Sequence, residues 1–228
     1  MAAVGVSEAA RLLGVSQQRV RAMLADERLE GSKVSDVWLV ELPRQRDSRL
    51  RPRRRPMSPA QAWRGLGLLS RLDIQADPSV KAHLRARLRK VLADDGLDDI
   101  ARAGILRAWF KLRADPERYL VPDVPLAQLR KDFRVLPSGA SHPDSPVRDV
   151  SLFEAYIAAD QLAAVVREHS MIPDVAGNVL LRVVYEPEGL RWIRQGMLPA
   201  ACIAVDLAEH DDARSIAAAS QMIQESSL

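Results

Sequence analysis

The chain has 228 residues, 47% of them hydrophobic and 28% charged, enough apolar material to build a core in one large domain or two smaller ones. No apolar run approaches the roughly 18 to 20 residues that span a bilayer; the start MAAVGVSEAA lacks a signal-peptide pattern, and the single cysteine, Cys202, excludes an internal disulfide framework, so a cytoplasmic protein is expected. The net charge of +3 divides unevenly: Met1–Val135 carries 27 Lys and Arg against 17 Asp and Glu, a net of +10, and Leu136–Leu228 carries 6 against 13, a net of −7. A basic front and an acidic back suggest that one part lies near a polyanion and the other faces something else, although Arg-rich faces can also be simply solvated.

The first predicted element is a helix that Ser7 can cap, with Ala9, Ala10, Leu12 and Leu13 as its apolar positions. Gly14 suits the left-handed residue after a helix end, and Ser16 is a second N-cap before a helix from Gln17 to about Asp26. Steps of 100° place Val20, Met23 and Leu24 on the core side. Gln18, Arg21, Ala22 and Ala25 face away, with Gln17 and Arg19 on the flanks. Amide and guanidinium groups at a helix start can read base edges, and alanines beyond them allow close approach to a major groove. Leu29 would close the helix against the core, and EGSKVSDVWLVE then alternates around a Ser-Asp turn as a β-hairpin. Helix, turn, helix and hairpin make a winged helix, in which Lys33 would sit over a phosphate. Trp38 fits a core plug beneath the wing better than a wedge inserted into DNA.

The run SEAARLLGVS, the later VRAML and the closing RL…VWLV resemble the excisionase and MerR-type winged-helix family over Val6–Glu41. Members of that family bind DNA through the second helix and the wing. The resemblance therefore implies roles for Gln17, Gln18, Arg19, Arg21 and Lys33, with Ser16 at the helix start. MerR regulators usually carry an aromatic pair just after the recognition arginine; Ala22 and Met23 stand there instead, which favours the excisionase-like branch.

Arg44 to Arg55, RQRDSRLRPRRR, holds seven arginines and one aspartate between Pro43 and Pro56, the composition of an extended arm. Beside a DNA-binding module, Arg51, Arg53, Arg54 and Arg55 can track phosphates or enter a minor groove; an Arg-rich linker that is merely solvated is the alternative. Ser58-Pro59 opens a helix with Ala62, Trp63, Leu66 and Leu69 on one side, and Asp77-Pro78 opens another with Val80, Leu84, Leu88 and Val91 in a stripe ringed by basic residues. That stripe is expected to face the protein's own core rather than a twin subunit. Gly104–Arg113 is ambiguous between helix and strand, and Leu126–Asp132 reads as a short helix.

PSGASHPDSPVRD, from Pro137 to Asp149, is a surface loop by composition. SLFEAYIA then has strand character, Asp160 caps a helix carrying Leu162, Val165 and Val166, and NVLLRVVY is a strand apolar enough to be central. ACIAVDLA reads as a further strand, and Asp211 or Asp212 caps a last helix with Ile216, Ala219 and Ile223 inward. The succession EAYIAADQLAAVVREH, NVLLRVV and AVDLAEHDDARS is similar to actinobacterial regulators related to type IV (abortive-infection) antitoxins, over roughly Phe133–Ile223. That likeness implies autoregulation of an operon and neutralisation of a nucleotidyltransferase-like toxin.

Residues for catalysis are sparse. His83, His142, His169 and His210 have no metal-ligand spacing, and the acidic part contains no lysine to converge with Asp206, Glu209, Asp211 and Asp212 in a metal-dependent nuclease. SGAS is neither a phosphate-binding loop nor a nucleophile elbow. No catalytic residue, metal or cofactor is expected.

The fold class read from the sequence is α+β, an N-terminal winged helix-turn-helix followed by a larger mixed helical and α+β domain. Its expected parts are a DNA-binding domain over 1–43, an Arg-rich linker over 44–57, a basic helical region over 58–136, and an acidic α+β domain over 137–228 for partner binding or oligomerisation. The function expected is a sequence-specific, nucleoid-associated transcriptional regulator that binds double-stranded operator DNA as a homodimer and autorepresses a toxin–antitoxin operon. Two alternatives stand beside it: an antitoxin that acts mainly by binding its toxin, and an excisionase-like recombination accessory factor.

Overall fold

A computed structural model of the protein describes residues 2–13, 17–25, 30–34, 37–42, 55–94, 96–210 and 212–225. The chain divides into two compact units, Met1–Arg53 and Arg54–Leu228. Both are mixed α and β, and each holds one small sheet.

The first unit runs β1 (Ala2–Gly5), α1 (Val6–Leu13), α2 (Gln17–Ala25), β2 (Glu30–Val34) and β3 (Val37–Leu42). Val34 lies opposite Val37, so β2 and β3 form the expected antiparallel hairpin; the Ser35-Asp36 connection falls outside the described residues. β1, which the sequence pattern did not announce, pairs antiparallel on the far side of β3. α1 begins at Val6, which puts Ser7 inside its first turn instead of at the cap. The Ser7 hydroxyl instead accepts a hydrogen bond from Gln17 Nε2 at 3.4 Å. Ala9, Ala10, Val20, Leu24 and Val40 are buried together, and Val4, Val6 and the half-buried Trp38 pack against them. Two alanines where α1 meets this small core let the helix backbone approach closely. Gly14, Ser16 and Leu29 lie outside the described residues.

The second unit starts with three helices, α3 (Pro59–Leu69), α4 (Pro78–Leu92) and α5 (Asp99–Phe110). Ser58 caps α3 by accepting from the Gln61 amide at 3.4 Å, with Pro59 at the first position where its missing N–H costs nothing. Asp77 precedes α4 without making a side-chain cap bond. Leu84, Leu88 and Val91 of α4 are buried in this unit's own core, and Arg87 stacks over the Trp109 ring at 4.4 Å. Asp98 caps α5 by accepting from the Ala101 amide at 2.7 Å, which settles the ambiguous Gly104–Arg113 stretch as helix down to Phe110.

There follow β4 (Asp115–Leu120), α6 (Asp123–Leu129), β5 (Val135–Pro137), β6 (Phe153–Ala158), α7 (Ala159–Glu168), β7 (Ile172–Pro173), β8 (Val179–Val184), α8 (Pro187–Ile193), α9 (Ala200–Leu207) and α10 (Ala213–Gln224). The sheet has the order β5-β6-β8-β4-β7, with β6 parallel to β8 and the other pairs antiparallel. β6 is buried at all six positions, as a strand covered on both faces must be. Phe153, Ala155 and Ile157 share one face with Val179, Leu181 and Val183 and pack with Leu129 of α6 and Val165 of α7. Tyr156, Ala158 and Val184 turn to the other face and join the core of α3, α4, α5, α8 and α9.

Three expectations are corrected here. ACIAVDLA is not a strand but helix α9, buried from Ala201 to Leu207. An apolar run without period is compatible with either form; three alanines and the preceding Pro199 favour the helix. Asp160 sits in the first turn of α7 and Ala158 occupies the N-cap, so the carboxylate acts on the helix dipole rather than as a cap. The expected domain boundary at 136/137 cuts through β5, whose sheet also contains β4 from the basic part, and both parts share one core. Charge marks a surface property, and the apolar faces that define a compact unit ignore it. Asp212 does cap α10, accepting from the Ser215 amide at 2.8 Å. Among the described residues no helix is long and apolar enough to cross a membrane.

Candidate functional site

Helix α2 presents a polar face because its apolar residues recur at the helical period. Val20 and Leu24, four apart, are buried, whereas Gln17, Gln18, Arg21 and Ala22 are exposed. Arg19 belongs to the same helix, and Lys33 is placed on β2 opposite Trp38, one residue pair from the hairpin end. Arg55 is exposed, and its carbonyl accepts from Arg87 at 3.4 Å. Ser16, Arg51, Arg53 and Arg54 lie outside the described residues. Gln17, Gln18 and Arg21 are thus exposed on α2, with Gln17 on the flank where its Nε2 donates to the Ser7 hydroxyl, while the buried Val20 and Leu24 face the small unit's core.

A second constellation, in the larger unit, was not anticipated. Arg182 faces inward from β8 in register with Tyr156 of β6, and Glu154 lies two residues before Tyr156 on the same face. Arg113 comes from the turn after α5, Asp206 from α9, and Glu209 and His210 from the segment beyond α9. Asp206 is fully buried and has four polar neighbours, three of them hydrogen-bond donors (Arg113, Ser138 and Tyr156) and the fourth, Arg182, an ion-pair partner. Two are guanidiniums, Arg113 and Arg182 (Nε at 3.0 Å); two are hydroxyls, Ser138 and Tyr156 (3.0 Å). Glu209 bridges the same two arginines at 2.7 and 2.9 Å. Arg113 is held further by the Tyr156 hydroxyl at 2.7 Å and the Phe110 carbonyl at 2.9 Å, and its own carbonyl accepts from the Trp63 indole at 2.7 Å. Burial disfavours charge on Arg113 and Arg182, but Tyr156 and the carboxylates outweigh it and hold both guanidinium pKa values above their ordinary range. Burial likewise pushes the Asp206 carboxyl upward, and the two guanidiniums oppose it.

Glu154 completes the network, 3.5 Å from Arg182 and 3.0 Å from His210 Nε2. Its other support is the backbone around Gly139, where the Ala140 amide donates to Glu154 Oε2 at 3.2 Å. Gly139 has φ of +52°, and a Cβ there would stand 2.1 Å from that same carboxylate oxygen. Only glycine lets the backbone come this near.

The Glu154 bond raises the His210 imidazole above its ordinary value, while burial works the other way. Burial would raise Glu154, but the His210 hydrogen bond and the Arg182 charge overcome it and hold the carboxyl below its usual range. The His210 contribution to stability is thus complete below the ordinary histidine value and lost as pH rises through the raised one. The Glu154 contribution is present above the ordinary glutamate value and lost as pH falls through the depressed one. Burial lowers His142, whose effect has the opposite sign and lies below the ordinary histidine value. Urea unfolding should therefore show stability declining from about pH 6.5 upward, and His210→Gln should remove that decline. An unchanged slope in the variant would assign the effect to another group.

The histidines stay apart. His83 is exposed on α4, His142 Nδ1 accepts from the Asp144 amide at 3.0 Å, and His169 meets Asp132 at 2.9 Å. Among the described residues no group of three or more His, Cys, Asp or Glu is arranged to hold a metal ion. Cys202 is buried in α9, and burial pushes its thiol up, which keeps it protonated and unreactive. The acidic part has no lysine to converge with Asp206 and Glu209; their partners are arginines, Arg113 from the turn after α5 and Arg182 from β8. A signal did exist. Arg182 inside VLLRVV and Asp206 inside CIAVDL are charges embedded in apolar runs, and a buried charge must find an opposite one.

No protein-family model matches the chain, and the searches of curated proteins and of solved structures each find nothing similar to it.

Proposed function

We propose that this protein is a sequence-specific DNA-binding transcriptional regulator whose residues 1–43 act as a winged helix-turn-helix. The observation that carries the reading is the exposed face of α2, where Gln17, Gln18 and Arg21 stand side by side ahead of Ala22. Glutamine pairs with adenine and arginine with guanine at the major-groove edge, and a small residue behind them permits insertion. Lys33 on β2 and the arginine arm through Arg51, Arg53, Arg54 and Arg55 would add phosphate contacts. One module of this size buries only about 600–1,000 Å² on DNA, so we assign a homodimer on paired half-sites. The larger unit then serves dimerisation or holds a partner. By the antitoxin likeness of its sequence that partner is a nucleotidyltransferase-like toxin, and the operator lies upstream of the protein's own operon. No reaction is assigned to the chain.

The test is a fluorescence-anisotropy titration against the protein's own upstream DNA and a scrambled duplex, at two salt concentrations. The reading expects the native duplex to bind about 10³-fold or more tighter. Equal binding that salt removes together would reduce the contact to electrostatics and overturn sequence-specific regulation. In the same assay, changing Arg53, Arg54 and Arg55 together to glutamine should weaken both duplexes alike and flatten the salt slope by about one unit per arginine engaged. A loss confined to one duplex would show that the arm reads bases.

A further inference from the structure

Helix α4 carries five Lys and Arg over Pro78–Leu92 and no Asp or Glu. Leu84, Leu88 and Val91 seat one side of it in the core, so Arg85, Arg89 and Lys90 are exposed on the other. We propose that this solvent face of α4 is a phosphate-binding surface that holds the backbone of duplex DNA. The inference rests on the reading that the chain binds DNA, though not on its preference for one sequence.

The cations are not equivalent. Lys81 is paired with Asp73 at 3.3 Å, and Arg87 lies over the Trp109 ring at 4.4 Å. Arg85 and Lys90 make no ion pair or hydrogen bond with any described residue. The exposed Arg55 joins them: its carbonyl accepts from Arg87 at 3.4 Å, but its guanidinium has no partner among the described residues. Arg55 also ends the arginine run of the sequence, so the basic character of that run passes directly to α4. Arg87 is four residues from His83 and three from Lys90, which anchors Arg55 on the flank of α4 that those residues form. Arg85 and Arg89, four apart, form the opposite flank.

A solvated helix surface usually mixes charge signs, since opposite charges three or four residues apart stabilise it. Arg85 instead stands between Lys81 and Arg89, each four residues away, and like charges at that spacing destabilise a helix. Asp77 and Asp94 lie beyond the two helix ends. A row of phosphates would offset the repulsion, and its release of condensed counterions would favour binding. The dimensions also fit. A helix with its side chains is about 10–12 Å across, and two phosphate strands border a major groove about 12 Å wide. Cations on both flanks can therefore reach both strands, and the exposed Ala82 and Ala86 between them add no bulk that would hold them off. That spread of charge, continued by Arg55, favours DNA over an acidic protein patch, which would engage one flank.

The test is anisotropy titration of the full chain carrying Arg85→Gln and Lys90→Gln together, on the native and scrambled duplexes over a series of salt concentrations. Both duplexes should weaken alike, by about tenfold or more at low salt, and the salt slope should flatten by about two units. Both side chains are exposed and without partners among the described residues, so the variant should melt with the wild-type protein. As a control, Lys131→Gln with Arg167→Gln removes the same charge from exposed positions just beyond α6 and in α7, helices that pack on the sheet's other face. That pair should leave affinity and slope unchanged. An equal loss in the control would reduce the effect to net charge and overturn the proposal. So would unchanged affinity and slope in the α4 pair, which would leave the face to an acidic protein, or a loss confined to one duplex. A wild-type chain that binds neither duplex would remove this surface together with the DNA-binding reading. Equal wild-type binding of both duplexes, weakened in the α4 pair alone, would retain this surface and remove only the sequence preference.

Discussion

Replacing Asp206 by alanine should cost about 3–5 kcal/mol of folding stability, a fifth or more of the roughly 5–15 kcal/mol a typical domain has. The carboxylate is fully buried and serves two guanidiniums, neither of which has access to bulk water. Removing it strands Arg113 and Arg182 on α5's end and β8, with the half-exposed Glu209 and the 3.5 Å Glu154 contact as their remaining counter-charges. The Tyr156 and Ser138 hydroxyls lose their acceptor at the same stroke. Asp206→Asn keeps the shape and removes the charge, so it separates packing from electrostatics and should show most of the loss. Urea unfolding with unchanged m-value is the measurement. A loss below about 1 kcal/mol would mean that Glu209 and Glu154 suffice for both arginines, against the buried-pair argument.

The second large effect concerns recognition. Arg21→Ala should bring the ratio of affinities for native and scrambled duplex toward one, since a bidentate base contact is worth about 1–3 kcal/mol of discrimination. Arg21 is exposed, and Val20 and Leu24 carry the packing of α2, so the variant should melt with the wild-type protein. Retained discrimination would remove α2 from the role proposed for it. A parallel fall on both duplexes would reassign Arg21 to a phosphate. The two variants report on different units of the chain, so neither result bears on the other.

Much of the local structure was legible from residues a few positions apart. Ser58-Pro59 and Asp212 mark the helix starts seen for α3 and α10, and the apolar stripe of α4 faces the core. VSDV implies the hairpin pairing of Val34 with Val37, although β1 beside it had no such signature. ACIAVDLA misled because it is apolar apart from Asp206, and one polar residue sets no period. With no polar face to set a period, its form follows from the surfaces around it, and those belong to α3, α5 and α10. The charge boundary misled for a different reason: β4 joins the sheet by backbone pairing with β8 and buries only Tyr119, and β5 straddles the boundary itself.

By itself the sequence determined what depends on near neighbours: helix ends through capping groups, helix faces through the 3.6-residue period, and the polar surface of α2. Arg182 and Asp206, each set in an apolar run, carry a further signal that went unread, because an unpaired charge is too costly to bury. Which partners they take was decided only by tertiary structure. Arg113 and Asp206 are 93 positions apart, Tyr156 and Asp206 are 50, and Arg182 and Glu154 are 28. Their meeting depends on the parallel register of β6 and β8 and on the seat of α9 against α3 and α5. Packing of distant apolar faces sets those positions, and no local period in the chain records which faces will meet.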